Sequence, residues 1–274
     1  MEKPINLENV GANDPYKIYC RQYIGDYFGK ISQREIARRL KIGKTTVNRW
    51  AQKSGLLFKK HTVDENYFKT ESPEMFYILG FISADGNVSW DTTKGYYSLT
   101  ITAAEKDVDH LERIRSLLKS SKPLLYGAPT KSYRLIVNNK QTCLDLMKFG
   151  IIPRKSLVMK FPKLPDKYIK DFIRGYIDGD GSLQYFKRPR SPYFSLMICS
   201  GSIEFIESLE RIIFQKLEIR AKITKTKNNC FVMRYSCQRG LNLARWIYED
   251  ASLYLSRKFN IYQEALSFRK ELVP

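Results

Sequence analysis

Residues 76–87 read FYILGFISADGN, and residues 171–182 read DFIRGYIDGDGS. Each stretch is a mainly apolar run with a glycine four residues before a second small residue, ending in an acid and another glycine. Gly80 precedes Ala84, and Gly175 precedes Gly179, so each run carries a small-residue stripe on one helical face. Two such helices can approach backbone to backbone. Gly86 and Gly181 are then the expected chain turns at the helix ends. Asp85 and Asp180 would be delivered to the same end of that contact.

The pairing continues outward. Leu111-Glu112-Arg113-Ile114 recurs as Leu209-Glu210-Arg211-Ile212, and Arg154-Lys155-Ser156 is echoed by Ser256-Arg257-Lys258. The offsets are 95 residues at the acid, 98 at the leucine and 103 at the lysine, as in a duplicated unit with loop-length changes. Each copy reads as helix, two strands, helix, two strands, helix. Tyr97, Leu99 and Ile101 alternate with Ser98, Thr100 and Thr102, the period of a strand with one buried face. Residues 105–119 read as a helix and 132–139 as a strand, while Phe194, Leu196 and Ile198 share one face in the second copy. Residues 221–226 and 230–237 read as a hairpin over a turn containing Asn228 and Asn229. The expected class is α+β, with two antiparallel sheets that each have a buried and an open face.

The two nonapeptides Ile78–Gly86 (ILGFISADG) and Ile173–Gly181 (IRGYIDGDG) resemble the LAGLIDADG helix of homing endonucleases, and the resemblance covers roughly residues 73–274. It implies two pseudo-twofold-related αββαββα repeats, 73–165 and 166–274, whose sheets form a saddle on double-stranded DNA. It implies metal-assisted hydrolysis of one phosphodiester per strand, with Mg²⁺ or Mn²⁺ held by Asp85 and Asp180 and by the backbone carbonyls of Gly86 and Gly181. Two apposed carboxylates would repel unless a divalent cation lay between them. Lys155 and Lys258 resemble the basic residues flanking the family's metals, with ordinary phosphate contact as the plainer reading. Ser200 matches a polar strand position near the family's water network, and Ala103 stands at the corresponding place in the first repeat. Ser83 and Asp178 differ at the sixth motif position, where Asp178 reads as a solvent or backbone contact rather than a metal ligand. Candidates for DNA contact on the open sheet faces are Ser89, Thr100, Arg134 and Asn138, then Gln184, Arg188, Lys222, Thr224 and Arg234. Because the halves differ, the implied target is long and non-palindromic, bound by a monomer.

Residues 31–50, ISQREIARRLKIGKTTVNRW, resemble a helix-turn-helix. Ser32 has capping-box spacing to Glu35, Ile36, Ala37 and Leu40 form an apolar stripe, and Gly43 is placed at the sharp turn. Lys41 stands where such motifs usually carry glycine. The second helix would present Lys44, Thr45, Thr46, Asn48 and Arg49 to a major groove. An ordinary helical hairpin with a basic face is the alternative. The unit is expected to span residues 1–60, followed by a polar linker over 61–72.

Composition sets the outer bounds. The 274 residues carry 47 Lys and Arg against 28 Asp and Glu, a net charge of +19, with 13% aromatics. That surplus favours a nucleic-acid partner over a membrane surface. No apolar run approaches the ~20 residues of a membrane-spanning helix. The polar, partly acidic first residues match neither a signal nor a transit peptide, so an intracellular protein, cytoplasmic or nucleoid-associated, is expected. Five cysteines, none in C-x-x-C spacing, and two histidines argue against a disulfide framework, a zinc centre or a histidine-cluster nuclease. Cys199 and Cys230 read as small core hydrophobes. Two other functions stay open: a DNA-binding regulator on the same fold without cleavage, and an RNA maturase for a group I intron.

Overall fold

The computed structural model describes residues 11, 13–56, 61–93, 95–188, 192–226 and 230–271, with side chains through 267. The chain divides into two compact units, Met1–His61 and Thr62–Pro274. Asn228 and Asn229, expected in a turn, lie outside the described residues. No described helix is long and apolar enough to cross a membrane.

The smaller unit holds three helices, α1 (Pro15–Tyr27), α2 (Gln33–Arg39) and α3 (Lys44–Lys53), around Cys20, Ile24, Ile36, Leu40, Val47 and Trp50. Ser32 caps α2 by accepting from the Glu35 amide at 3.2 Å. Only half of the expected capping box forms, because the Glu35 carboxylate turns to Arg38 at 2.7 Å and Arg39 at 2.8 Å. The turn is also made differently. Gly43, with φ −66°, is the extended residue just before α3, whereas Lys41, at φ 48°, takes the left-handed position. The amides of Lys41 and Ile42 close the end of α2 on the carbonyls of Arg38 and Ala37. Lysine thus does a glycine's work there, at about 1 kcal/mol of backbone strain.

In the larger unit, the order α4 (Pro73–Asp85), β1 (Gly86–Asp91), β2 (Tyr96–Ala104), α5 (Val108–Leu117), β3 (Leu125–Gly127), β4 (Ser132–Val137), α6 (Lys140–Lys148) repeats. The second round is α7 (Ile169–Asp180), β5 (Gly181–Phe186), β6 (Tyr193–Ser200), α8 (Ile203–Leu217), β7 (Lys222–Lys225), β8 (Phe231–Ser236), α9 (Cys237–Tyr248). One further helix, α10 (Ser256–Glu271), follows. Both sheets are antiparallel and four-stranded, ordered β1-β2-β4-β3 and β5-β6-β8-β7. Leu99, Ile101, Leu135 and Val137 in the first sheet, and Phe194, Leu196, Ile198, Met233 and Tyr235 in the second, face one continuous apolar core with α4 and α7. The alternate residues form the open faces.

Two sequence expectations change here. Residues 62–72 are not a tether. The Thr62 amide donates to Ser121 Oγ at 2.8 Å, the Asp64 amide to the Leu118 carbonyl at 2.9 Å, and Phe68 is buried. A polar stretch with one buried anchor packs on the first repeat. Cys199 and Cys230 are half-buried, and the fully buried thiols are Cys20 and Cys143. Cys199 pairs with Val232, out of phase with the core residues Ile198 and Met233 beside it.

Candidate active site

Ser72 caps α4 by accepting from the Met75 amide at 3.1 Å, and Pro73 opens the helix. From Met75 to Ser83 every residue of α4 is buried, because α7 covers the side left by the sheet. The glycine stripe allows this contact. A Cβ on Gly80 would collide with the Phe172 carbonyl of α7, and one on Gly175 with the Tyr77 carbonyl of α4. A Cβ on Gly179 would strike Ala84 and come 3.2 Å from Asp85 Oδ2. The two helices therefore run together to their C-terminal ends and bring Asp85 and Asp180 into one site. Gly86 and Gly181 have extended backbones, with φ −82° and −84°, so no left-handed turn is involved. They are small because a Cβ there would meet Ile82 or Ile177 one turn back.

Asp85 is exposed by area and Asp180 half-buried, yet protein crowds both acids. Burial, then the charge of Asp180, pushes the Asp85 carboxyl up to about 6, opposed by Lys258 and Lys155. Burial also raises Asp180, again against the two lysines. Among the described residues neither makes an ion pair.

The lysines lie beneath. Lys155 is buried and donates from Nζ to the Gly86 carbonyl at 2.6 Å. Lys258, on α10, donates to the carbonyls of Gly181 at 2.6 Å, Ile177 at 2.7 Å, Asp178 at 2.7 Å and Gly179 at 3.2 Å. Both ammoniums thus sit at the negative ends of the helix dipoles. Burial lowers Lys155, and it brings Lys258 down to about 8. The Gly86 and Gly181 carbonyls each accept from a lysine.

The sixth motif positions serve structure. Asp178 is fully buried, away from solvent, and accepts from Tyr77 Oη at 2.7 Å, Tyr248 Oη at 2.7 Å and the Leu255 amide at 2.8 Å. It ties α7 to α4, to α9 and to the entry of α10, while Ser83 only bonds back to the Leu79 carbonyl at 2.8 Å. Ser200 aligns with Ala103 through the register, since Ile101 pairs with Gly86 and Ile198 with Gly181. Its hydroxyl is buried on the helix side, accepts from the Ser202 amide at 3.2 Å and lies beside Tyr176, which also interacts with Asp180.

Ser89, Thr100 and Arg134 lie on the open face of the first sheet, and Gln184, Lys222, Thr224 and Arg234 on that of the second. Asn138 and Arg188 are exposed just beyond their strands. Lys44, Thr45 and Arg49 are exposed on α3, with Thr46 and Asn48 half-buried. Sequence reasoning missed Arg174, which is buried inside α7. Its guanidinium donates to the carbonyls of Leu253 and Ile247, both at 2.9 Å, and to Asp171 at 2.8 Å. An arginine within an apolar helix that buries every side was the available signal.

The donor set tests the fit of a metal ion. Two crowded carboxylates and two helix-end carbonyls offer only hard oxygen donors, which suits Mg²⁺ or Mn²⁺ and not zinc. Among the described residues no group of three or more His, Cys, Asp or Glu side chains could hold a metal.

A family model described as LAGLIDADG-like domain matches residues 167–255. An uncharacterised protein of Methanocaldococcus jannaschii is 30% identical over 213 residues, 75% of each chain. Among solved structures, the LAGLIDADG meganuclease I-AabMI, bound to uncleaved DNA, superposes with a TM-score of 0.53 at 11% identity, covering 73% of this chain and 92% of that one. The LAGLIDADG homing endonuclease I-GzeII, in complex with its DNA target, gives 0.51 at 10% identity, covering 75% and 94%. With the LAGLIDADG-like domain matched in the second repeat, the doubled acid-tipped helices and the relative that spans three quarters of the chain, the chain belongs to the LAGLIDADG family.

Proposed function

We propose that the chain is a site-specific double-strand DNA endonuclease that acts as a monomer and uses Mg²⁺ or Mn²⁺. The observation that carries this reading is the convergence of Asp85 and Asp180 at the ends of two interlocked helices, with a buried lysine under each. A pure binding protein gains nothing from crowding two carboxylates until one rises to about 6. The solved neighbours bound to DNA add support.

A bound divalent ion would supply Lewis acidity that activates water and stabilises the leaving oxygen. Asp85 and Asp180 would hold it, helped by the Gly86 and Gly181 carbonyls. Lys155 and Lys258 keep those carbonyls in place and put positive charge behind the scissile phosphates. The open sheet faces would read a long target in the major groove. Because the repeats differ, that target is non-palindromic. The three-helix unit would add a helix-turn-helix contact through Lys44, Thr45, Thr46, Asn48 and Arg49.

Asp85→Asn should abolish one strand's cut and Asp180→Asn the other's, and the double variant should bind without cutting. A supercoiled-plasmid assay carrying the target separates nicked from linear product. Linear product from the double variant removes these acids from the chemistry. Duplex binding without cleavage by the unaltered chain would make it a regulator on this fold.

A further inference from the structure

The two open sheet faces are not copies of one another. In the first sheet Gly86 is opposite Ile101, which is opposite Leu135; in the second, Gly181 is opposite Ile198, which is opposite Met233. Aligned on those glycines, Ile136 of β4 occupies the place of Arg234 of β8, and Arg134 occupies the place of Val232. Each half thus carries one arginine and one aliphatic residue on the open side of the same inner strand, in exchanged order. Arg134 lies between Thr102 and Leu125, and Arg234 between Met197 and Lys222. Both arginines are exposed, and among the described residues neither has an ion-pair or hydrogen-bond partner.

Arg234 and Lys222 face each other directly, which costs stability for like charges unless an acceptor-rich partner lies over them. The major-groove edge of guanine, with O6 and N7 both accepting, fits a guanidinium fork, whereas aliphatic side chains fit the thymine methyl. Two residues along a strand span about 7 Å, roughly two base-pair steps.

Resting on the reading that this chain binds duplex DNA, we propose that Arg134 and Arg234 each specify one guanine. The two guanines lie at distances from the target's centre that differ by about two base pairs, with Ile136 and Val232 favouring thymine at the reciprocal positions. This exchange makes the target's halves unequal.

The test is to select and sequence bound duplexes from a randomised library with the full chain, then with variants. Two guanine positions out of mirror relation by about two base pairs are expected. Arg134→Ala and Arg234→Ala should each erase one guanine preference and weaken binding to the selected site about 5- to 150-fold. The exchange Arg134→Val with Ile136→Arg should move the first guanine to the mirror position of the second. Mirror-related guanines in the unaltered chain's sites overturn the proposal. So does uniform weakening on all sequences with a shallower salt dependence, the mark of phosphate contact. Failure of the unaltered chain to bind any duplex is a separate result, against the DNA-binding reading itself.

Discussion

Lys258 donates to four carbonyls at the end of α7, and Lys155 to one at the end of α4. The same residue type in the same repeat position therefore carries different structural weight. Lys258→Met leaves four acceptors without their donor and should destabilise the larger unit by ~2–4 kcal/mol, whereas Lys155→Met should cost ~1 kcal/mol. Urea titration followed by tryptophan fluorescence measures both, and equal losses would make the four-bond arrangement energetically idle. The acids give a pH test. Asp85 is raised to about 6 in the fold, against an ordinary value near 4, so its contribution is present below about pH 4 and lost as pH rises through about 6. His110 works oppositely. Burial lowers it to about 4, the unfolded chain takes up its proton first, and stability grows as pH rises from about 4 to 6.5. Added Mg²⁺ acts on the acids alone, so the rise in melting temperature it brings should grow from pH 4 to pH 7. A gain that stays flat with pH would place the ion elsewhere.

At the scale of elements, the contact between α4 and α7 tolerates no added atom at Gly80 or Gly175, because the obstructing groups are carbonyls rather than side chains. Gly80→Ala or Gly175→Ala should each destabilise by at least ~1–3 kcal/mol. An alanine at Gly11 or Gly25, where a Cβ meets nothing within 4 Å, is the control for the substitution itself. These same glycines were readable in the sequence, since a stripe at four-residue spacing has one geometric use. Strand phase was readable too, because Leu99 and Ile101 alternate with Ser98, Thr100 and Thr102, and Phe194 and Leu196 flank Ser195. What escaped was whatever depends on a partner distant in sequence. Asp178 meets Tyr77, Tyr248 and the Leu255 amide only after folding. Residues 62–72 look like a linker until Ser121 and Leu118 come into place. Lys41 hid the end of α2 by adopting a conformation that sequence assigns to glycine.

At the scale of the molecule, the division at His61 predicts that the chain can be cut into parts. Removing residues 1–60 should leave Thr62–Pro274 folded, with every acid and buried lysine of the site intact. Affinity for the target should fall, protection in footprinting should retreat at one end, and the slope of log affinity against log salt should lessen as cationic contacts are lost. An unchanged footprint would remove the three-helix unit from DNA recognition. Finally, the interlocking of α4 and α7 bears on how the chain is made. The inner face of α4 has no covering partner until a helix 95 residues further along has been translated, a wait of roughly 5–20 s at ordinary ribosome speeds. Until then the stripe of Tyr77, Gly80 and Ala84, which meets α7, stays open to solvent or to chaperones. The first repeat cannot mature alone on the ribosome, and a nascent chain stalled near Pro165 should be sensitive to protease in the segment that later becomes the most deeply buried helix.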